Sequence, residues 1–113
     1  ERVTVTSNMR VVMKSEVLIG AGDEKVKYSG EWSDDKRHGK GTQLWKNGTR
    51  YDGYFNEDQQ EGYGRMIHAD GDYYIGHWQN NMTNGRGSYY HSNGDSYVGE
   101  WQDDKHHGHG KQG

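Results

Sequence analysis

Cysteine is absent from the 113 residues. That excludes disulfides, thiolate catalysis and cysteine-ligated zinc, and it suits a reducing compartment; the expected setting is cytoplasmic. Branched aliphatic side chains are nearly as scarce. Leu, Ile, Val and Phe together number 13, well under the one-fifth that marks an ordinary globular domain. A deep-cleft two-layer enzyme, a thick sandwich or a helical bundle has too little core material here. The longest aliphatic run is Val17-Leu18-Ile19, too short for a membrane span or the apolar segment of a signal peptide. Nor is there positive charge to spare: the formal net charge is -3, which disfavours nucleic acid as a partner. Glu1 stands where a start methionine would, so the stretch reads as a piece of a longer protein.

What is abundant is glycine, with 18 residues, and aromatic side chains, with 4 Trp, 9 Tyr and 1 Phe. Disordered chains are poor in aromatics, so packing by rings in place of aliphatics is expected. Self-similarity explains the bias. Tyr28, Tyr51, Tyr74 and Tyr97 stand 23 residues apart, and the same step links Gly30, Gly53, Gly76 and Gly99, then Trp32, Phe55, Trp78 and Trp101. It also links Gly39, Gly62, Gly85 and Gly108, then Gly41, Gly64, Gly87 and Gly110. Gly48, Gly71 and Gly94 form a further column.

Within Tyr-x-Gly-x-aromatic the marked residues alternate and so share one face of a strand, while the intervening, mostly polar positions face the other way. That pattern belongs to an antiparallel sheet wetted on one side. Asn47-Gly48, Asp70-Gly71 and Asn93-Gly94 predict tight hairpin turns between strands such as 41–46 and 49–55, with Ser33 to His38 and its equivalents as longer exposed loops. Glycine inside the Tyr-x-Gly-x-Trp strand allows a ring from the neighbouring strand to lie flat over the backbone.

Residues 1–27 fall outside the period and hold six of the seven valines; Arg2 to Thr6 and Met9 to Ile19 read as strands of an atypical capping hairpin. The repeats divide as 28–50, 51–73, 74–96 and a partial 97–113, and the last leaves a strand edge for further repeats or a partner to cover.

Four tandem copies of Tyr-x-Gly-x-Trp/Phe followed by Gly-x-Gly resemble MORN repeats, over residues 28–113. The resemblance implies an all-β, elongated, single-layer antiparallel sheet of tandem β-hairpins. It also implies an array without catalytic function that serves as a scaffold or docking module. In that reading Tyr28, Trp32, Tyr51, Phe55, Tyr74, Trp78, Tyr97 and Trp101 line a groove for an extended or helical protein segment. The twelve glycines at 30, 39, 41, 53, 62, 64, 76, 85, 87, 99, 108 and 110 are structural. Cytoskeletal or ciliary assembly is the setting expected by family analogy, and self-association is a further use of such a groove.

The family name also implies phospholipid. Against that, residues 28–113 carry nine Lys/Arg and thirteen Asp/Glu, whereas anionic membranes attract clustered basic residues. Membrane association, and a targeting or regulatory role within a larger enzyme such as a phosphatidylinositol phosphate kinase, stand as the alternatives. A carbohydrate- or choline-binding hairpin solenoid is another, suggested by Tyr73-Tyr74 and Tyr89-Tyr90, but the 23-residue period and the Gly-x-Gly column argue against it.

No cofactor or metal is expected. His106, His107 and His109 cluster in sequence, but the seven histidines scatter over variable columns of the repeat. Gly108-His109-Gly110-Lys111-Gln112-Gly113 matches a dinucleotide fingerprint in letters only, because two of its glycines are repeat columns and no helix is expected to follow. Asn47-Gly48-Thr49 and Asn81-Met82-Thr83 are formal glycosylation sequons without weight absent secretion. Asp34-Asp35 and Asp103-Asp104 read as a solvated rim; no oriented nucleophile or paired-carboxylate motif accompanies them.

Overall fold

The computed structural model describes residues 2–6, 9–20 and 25–112, with side chains described at 11–20 and 25–105. Among these residues all regular structure is β. Ten strands follow one another as nearest neighbours in a single antiparallel sheet: β1 (Arg2–Thr6), β2 (Met9–Ile19), β3 (Val26–Ser33), β4 (Lys36–Leu44), β5 (Arg50–Asn56), β6 (Gln59–Ile67), β7 (Tyr73–Gln79), β8 (Met82–Tyr90), β9 (Ser96–Gln102) and β10 (Lys105–Gln112). The molecule measures 44 × 34 × 19 Å, the shape of one layer. β1 pairs with β2, and β2 with β3, so the non-repeating stretch continues the sheet beyond the first repeat. Residues 21–24 and the last glycine of the dinucleotide-like string, Gly113, lie outside the described residues.

The glycine columns meet. Gly30 is opposite Gly41, Gly41 opposite Gly53, Gly53 opposite Gly64, and the series continues through Gly76, Gly87 and Gly99 to Gly110. One row of glycine thus crosses eight strands, and the tyrosines lie over it. A Cβ built on Gly41 would stand 2.3 Å from Tyr28 Oη, and one on Gly64 2.3 Å from Tyr51 Oη. The glycine inside Tyr-x-Gly-x-Trp, expected to take a ring from the neighbouring strand, is covered from its own strand, Gly30 by Tyr28; Gly41 is the one covered across strands. The ring thus spans the cross-strand pair Gly30–Gly41. Between hairpins the contact is ring on ring.

Gly39, Gly62 and Gly85 have a different task. Between the Gly30–Gly41 and Trp32–Arg37 pairs, one residue of β3 faces three of β4, and the bulge carries Gly39 at φ +70°. The Glu31 carboxylate folds over it and accepts the Lys40 amide at 2.7 Å. Gly108 belongs to the matching irregularity between β9 and β10, and its surroundings lie outside the described residues.

The two kinds of turn exchange the places the sequence suggests. Ser33 pairs with Lys36 and Asn56 with Gln59, so the expected long loop is a two-residue reversal. Both central residues are left-handed in every copy: Asp34 and Asp35 (φ 52° and 61°), Glu57 and Asp58, Asn80 and Asn81, Asp103 and Asp104. This is the φ signature of the type I′ turn, whose twist matches that of the strands. The Asn-Gly segments form the wider connection. Trp45 N–H donates to Thr49 O (2.9 Å) and Gly48 N–H to Trp45 O (3.1 Å), with Gly48 at φ +99°, so a type I turn closes on a left-handed glycine. Asn47 Oδ1 accepts the Thr49 amide, and Asp70 and Asn93 repeat the bond.

Strain in the two-residue turns is offset by the preceding repeat. Asp58 Oδ1 accepts the Arg37 amide at 2.7 Å while the Asp58 amide donates to Arg37 O. Asn81 makes the same reciprocal pair with Gln60, and Asp104 with Thr83. Asp58, Asn81 and Asp104 are therefore connectors, and Asp104 is more than part of a solvated rim.

Candidate docking face

Cross-strand register places Tyr28 opposite Gln43 and Trp32 opposite Arg37, so these four side chains share a face. The aromatic columns form a continuous edge-to-face chain on it. Tyr28 meets Trp32 at 5.2 Å and Phe55 at 5.1 Å; Tyr51 meets Phe55 and Trp78; Tyr74 meets Trp78 and Trp101; Tyr97 meets Trp101. Tyr28, Tyr51 and Tyr74 are each wedged between the ring of their own repeat and that of the next. Each hydroxyl donates to a backbone carbonyl three residues on, from Tyr28 to Glu31 O at 2.8 Å and from Tyr51 to Tyr54 O at 2.9 Å. Burial pushes the Tyr28, Tyr51 and Tyr74 phenols well above their ordinary range.

Such packing consumes the rings. Tyr28 and Tyr51 have no exposure, Tyr74 has 1%, and Phe55, Trp78, Tyr97 and Trp101 have 7% or less. These seven are the core, because a one-layer sheet has no other interior. Trp32 alone of the eight is half-buried, and its indole Nε1 is buried without a hydrogen-bond partner, whereas Trp78 and Trp101 donate theirs to Gly64 O and Gly87 O. The Lys14 ammonium lies 5.7 Å over the Trp32 ring.

Over this floor lies a second tier that the strict columns do not reveal. Two positions recur every 23 residues with changing identity: Arg37, Gln60 and Thr83, and Gln43, Met66 and Tyr89. Met66 and Tyr89 are half-buried against the ring chain, joined by Trp45. Arg37 lays its guanidinium 5.4 Å over Phe55, with Nη2 donating to Asp58 O (2.7 Å), Nε to Asp58 Oδ1 (3.2 Å) and Nη1 to Gln43 Oε1. Toward the other end, where Thr83 replaces arginine, a cavity of ≈ 250 Å³ opens among Met66, Trp78, Thr83, Tyr89, Trp101 and Asp104.

Asp72 borders this region. It accepts the Ser92 amide (2.8 Å) and the Tyr89 hydroxyl (3.1 Å) and lies 3.1 Å from His91 Nδ1. These bonds, the Ser92 amide foremost, hold its carboxyl below the usual range, while burial pushes the Tyr89 phenol up to about 12.

The opposite face has its own features. Tyr54 and Tyr63 are exposed there, beside Lys40, Asp52, Arg65 and Ile75. Asp52 would be raised by burial, but hydrogen bonds from Arg50 and Thr42 outweigh that and hold it low. Near the first wide turn, Leu18 and Leu44 are exposed among Lys25, Lys27 and Lys46. Tyr73 and Tyr90 stack at 4.8 Å, so the pairs that suggested a choline cage are partly spent on each other. Among the described residues no group of three His, Cys, Asp or Glu side chains could hold a metal ion; the side chains of His106, His107 and His109 lie outside them. Among the same residues no helix is long and apolar enough to cross a membrane.

A family model described as MORN repeat matches four consecutive segments, 28–50, 51–73, 74–96 and 97–112. No curated protein matches the chain.

Proposed function

Since the chain belongs to the MORN-repeat family, whose arrays are generally non-catalytic modules of protein or membrane interaction, we propose that it is a docking module for an extended or helical protein segment laid along the aromatic face. The observation that carries this reading is the second tier. Trp32, Met66 and Tyr89 stay half-buried over a sealed ring floor, so apolar surface runs along the repeats on a scaffold too well packed to rearrange. Aromatic side chains on rigid elements are typical interface anchors. The array contributes no chemistry of its own. A cytoskeletal or ciliary scaffold is the setting such a module suits, and a second copy of the chain is an alternative occupant.

A membrane reading has one specific support: the exposed Leu18 and Leu44 within three lysines, local basicity that the overall charge of -3 conceals. Affinity capture and flotation with anionic vesicles separate the two. Docking is supported when a protein partner is recovered by the natural chain and lost with folded Met66→Ser/Tyr89→Ser. Recovery unaffected by that double substitution refutes it. Salt-sensitive flotation abolished by Lys25→Glu/Lys27→Glu supports the lipid alternative.

A further inference from the structure

We propose that the cavity between the third and fourth repeats is a receptor for an arginine side chain of the docked segment, an inference that rests on the docking reading above. The chain supplies the template itself. In the first repeat the slot between Trp32 and Phe55 is filled by Arg37, whose guanidinium lies over the Phe55 ring and reaches the Asp58 carboxylate, the Asp58 carbonyl and the Gln43 side-chain oxygen. Moving each of these residues on by two repeats gives Thr83, Trp101, Asp104 and Tyr89. All four line the cavity of ≈ 250 Å³.

Every element of the arginine cage is thus present except the arginine. Trp101 offers a larger ring than Phe55 and a stronger cation–π partner. Asp104 repeats the carboxylate of Asp58: its Oδ1 accepts the Thr83 amide at 2.7 Å, as Asp58 Oδ1 accepts that of Arg37. Thr83 Oγ1 reaches the same oxygen at 3.2 Å, where Arg37 Nε reaches Asp58 Oδ1 at 3.2 Å. The hydroxyl therefore stands in for one N–H of the guanidinium and leaves the rest of its volume open. Tyr89 stands in the register position of Gln43, and its hydroxyl donates to Asp72 while keeping an acceptor lone pair.

The intermediate slot shows why this place is distinct. There the longer Gln60 side chain is buried in place of threonine and its turn partner is Asn81, so the slot holds an amide and carries no carboxylate. Among the described residues, Thr83 is where an open volume, an indole and a carboxylate coincide. Lysine fits less well, since its point charge cannot make the planar fork that Arg37 makes over a ring.

The test is an NMR titration of the ¹⁵N-labelled chain with three probes, acetyl-Gly-Arg-Gly-amide and its citrulline and leucine counterparts. Citrulline keeps the shape of arginine and removes the charge. Saturable shifts of the Trp101 indole and the Thr83 and Asp104 amides are expected with the arginine probe, at least tenfold stronger than with citrulline. Thr83→Arg should abolish them by filling the slot from within, and Arg37→Thr should create a second responsive set at Phe55 and Asp58. Asp104→Asn, which keeps the turn's geometry, should remove the preference for arginine and covers the case where Thr83→Arg fails to fold. Equal response to citrulline, no response to arginine, or arginine binding undiminished in either cavity variant overturns the proposal. Leucine-probe shifts at Trp32, Met66 and Tyr89 without arginine selectivity would overturn the arginine assignment while leaving the docking reading in place.

Discussion

Gly64→Ala should be among the most damaging single-methyl additions available to this protein. The new Cβ would lie 2.3 Å from Tyr51 Oη and 2.6 Å from Cε1 and Cζ, where about 3.5–4.0 Å is normal between carbons. Tyr51 cannot step aside, because Phe55 and Trp78 stand edge-on at 5.2 and 5.3 Å on either side and its hydroxyl is tied to Tyr54 O. Overpacking of this kind costs about 1–3 kcal/mol, and losing the tyrosine's hydrogen bond about 1 more. The alanine's effect on the unfolded chain returns about 0.4–1 kcal/mol. The expected net loss is about 2–3 kcal/mol, read as a lowered urea midpoint in tryptophan fluorescence. Tyr51→Phe removes the nearest clashing atom, so in the double variant the losses should fall short of additivity by about 1 kcal/mol. Gly94→Ala is the control: nothing lies within 4 Å of its Cβ, and it should cost about 1–2 kcal/mol through φ +102° alone, without coupling to any tyrosine. A Gly64→Ala protein within 1 kcal/mol of the natural chain, or full additivity with Tyr51→Phe, would refute the ring-on-glycine account.

Asp58→Ala should cost about 2 kcal/mol in urea unfolding, because it strands the Arg37 amide and Nε together, while Asp58→Asn should cost under about 1 kcal/mol since Asn81 already performs the same task. At alkaline pH the buried phenols dominate. Burial raises Tyr28, Tyr51 and Tyr74 in the fold, so stability is intact below the unfolded value near 10 and falls as pH rises beyond it, by up to about 1.4 kcal/mol per unit for each tyrosine. Urea midpoints between pH 9 and 11.5 should drop steeply; phenolate formation near pH 10 without unfolding would contradict this. Asp72 works in the other direction. Its depressed carboxyl supports the fold above the ordinary carboxylate value near 4 and loses that contribution as pH falls, so Asp72→Asn should flatten the acid limb of a stability profile.

The fold was legible because its determinants are strict columns. Tyr, Gly and Trp/Phe recur without exception, and their alternation alone fixes a one-sided sheet. What strict columns hide is which connection is tight. Asn-Gly is the common signature of a two-residue turn, yet here Gly48 closes a three-residue loop, and the two-residue turns carry pairs such as Glu57-Asp58 with no glycine at all. A local rule fails there because the compensation is not local: the Asp58 carboxylate takes up an amide 21 residues earlier, which no turn propensity records.

The candidate site was less legible for a related reason. Invariant columns in a thin repeat array describe what every repeat needs in order to pack, and in a sheet one residue deep that need uses the column tyrosines with Phe55, Trp78 and Trp101. Selectivity must then reside where the repeats differ. Arg37, Gln60 and Thr83 occupy one geometric position and produce, in turn, a slot filled by a cation, a slot filled by an amide and an open cavity. The position opposite Tyr28, Tyr51 and Tyr74 likewise runs through Gln43, Met66 and Tyr89. The floor is the same in each repeat, so a segment lying along it reads a sequence of side-chain differences at a fixed spacing. Register along such a face is set by the slot that differs from its neighbours. An exchange of Thr83 and Arg37 should therefore shift the bound segment's register or invert its polarity, a change that spin labels at the segment's two ends would detect. Unchanged label positions in a folded exchange variant would mean that the floor, and not the second tier, chooses the register.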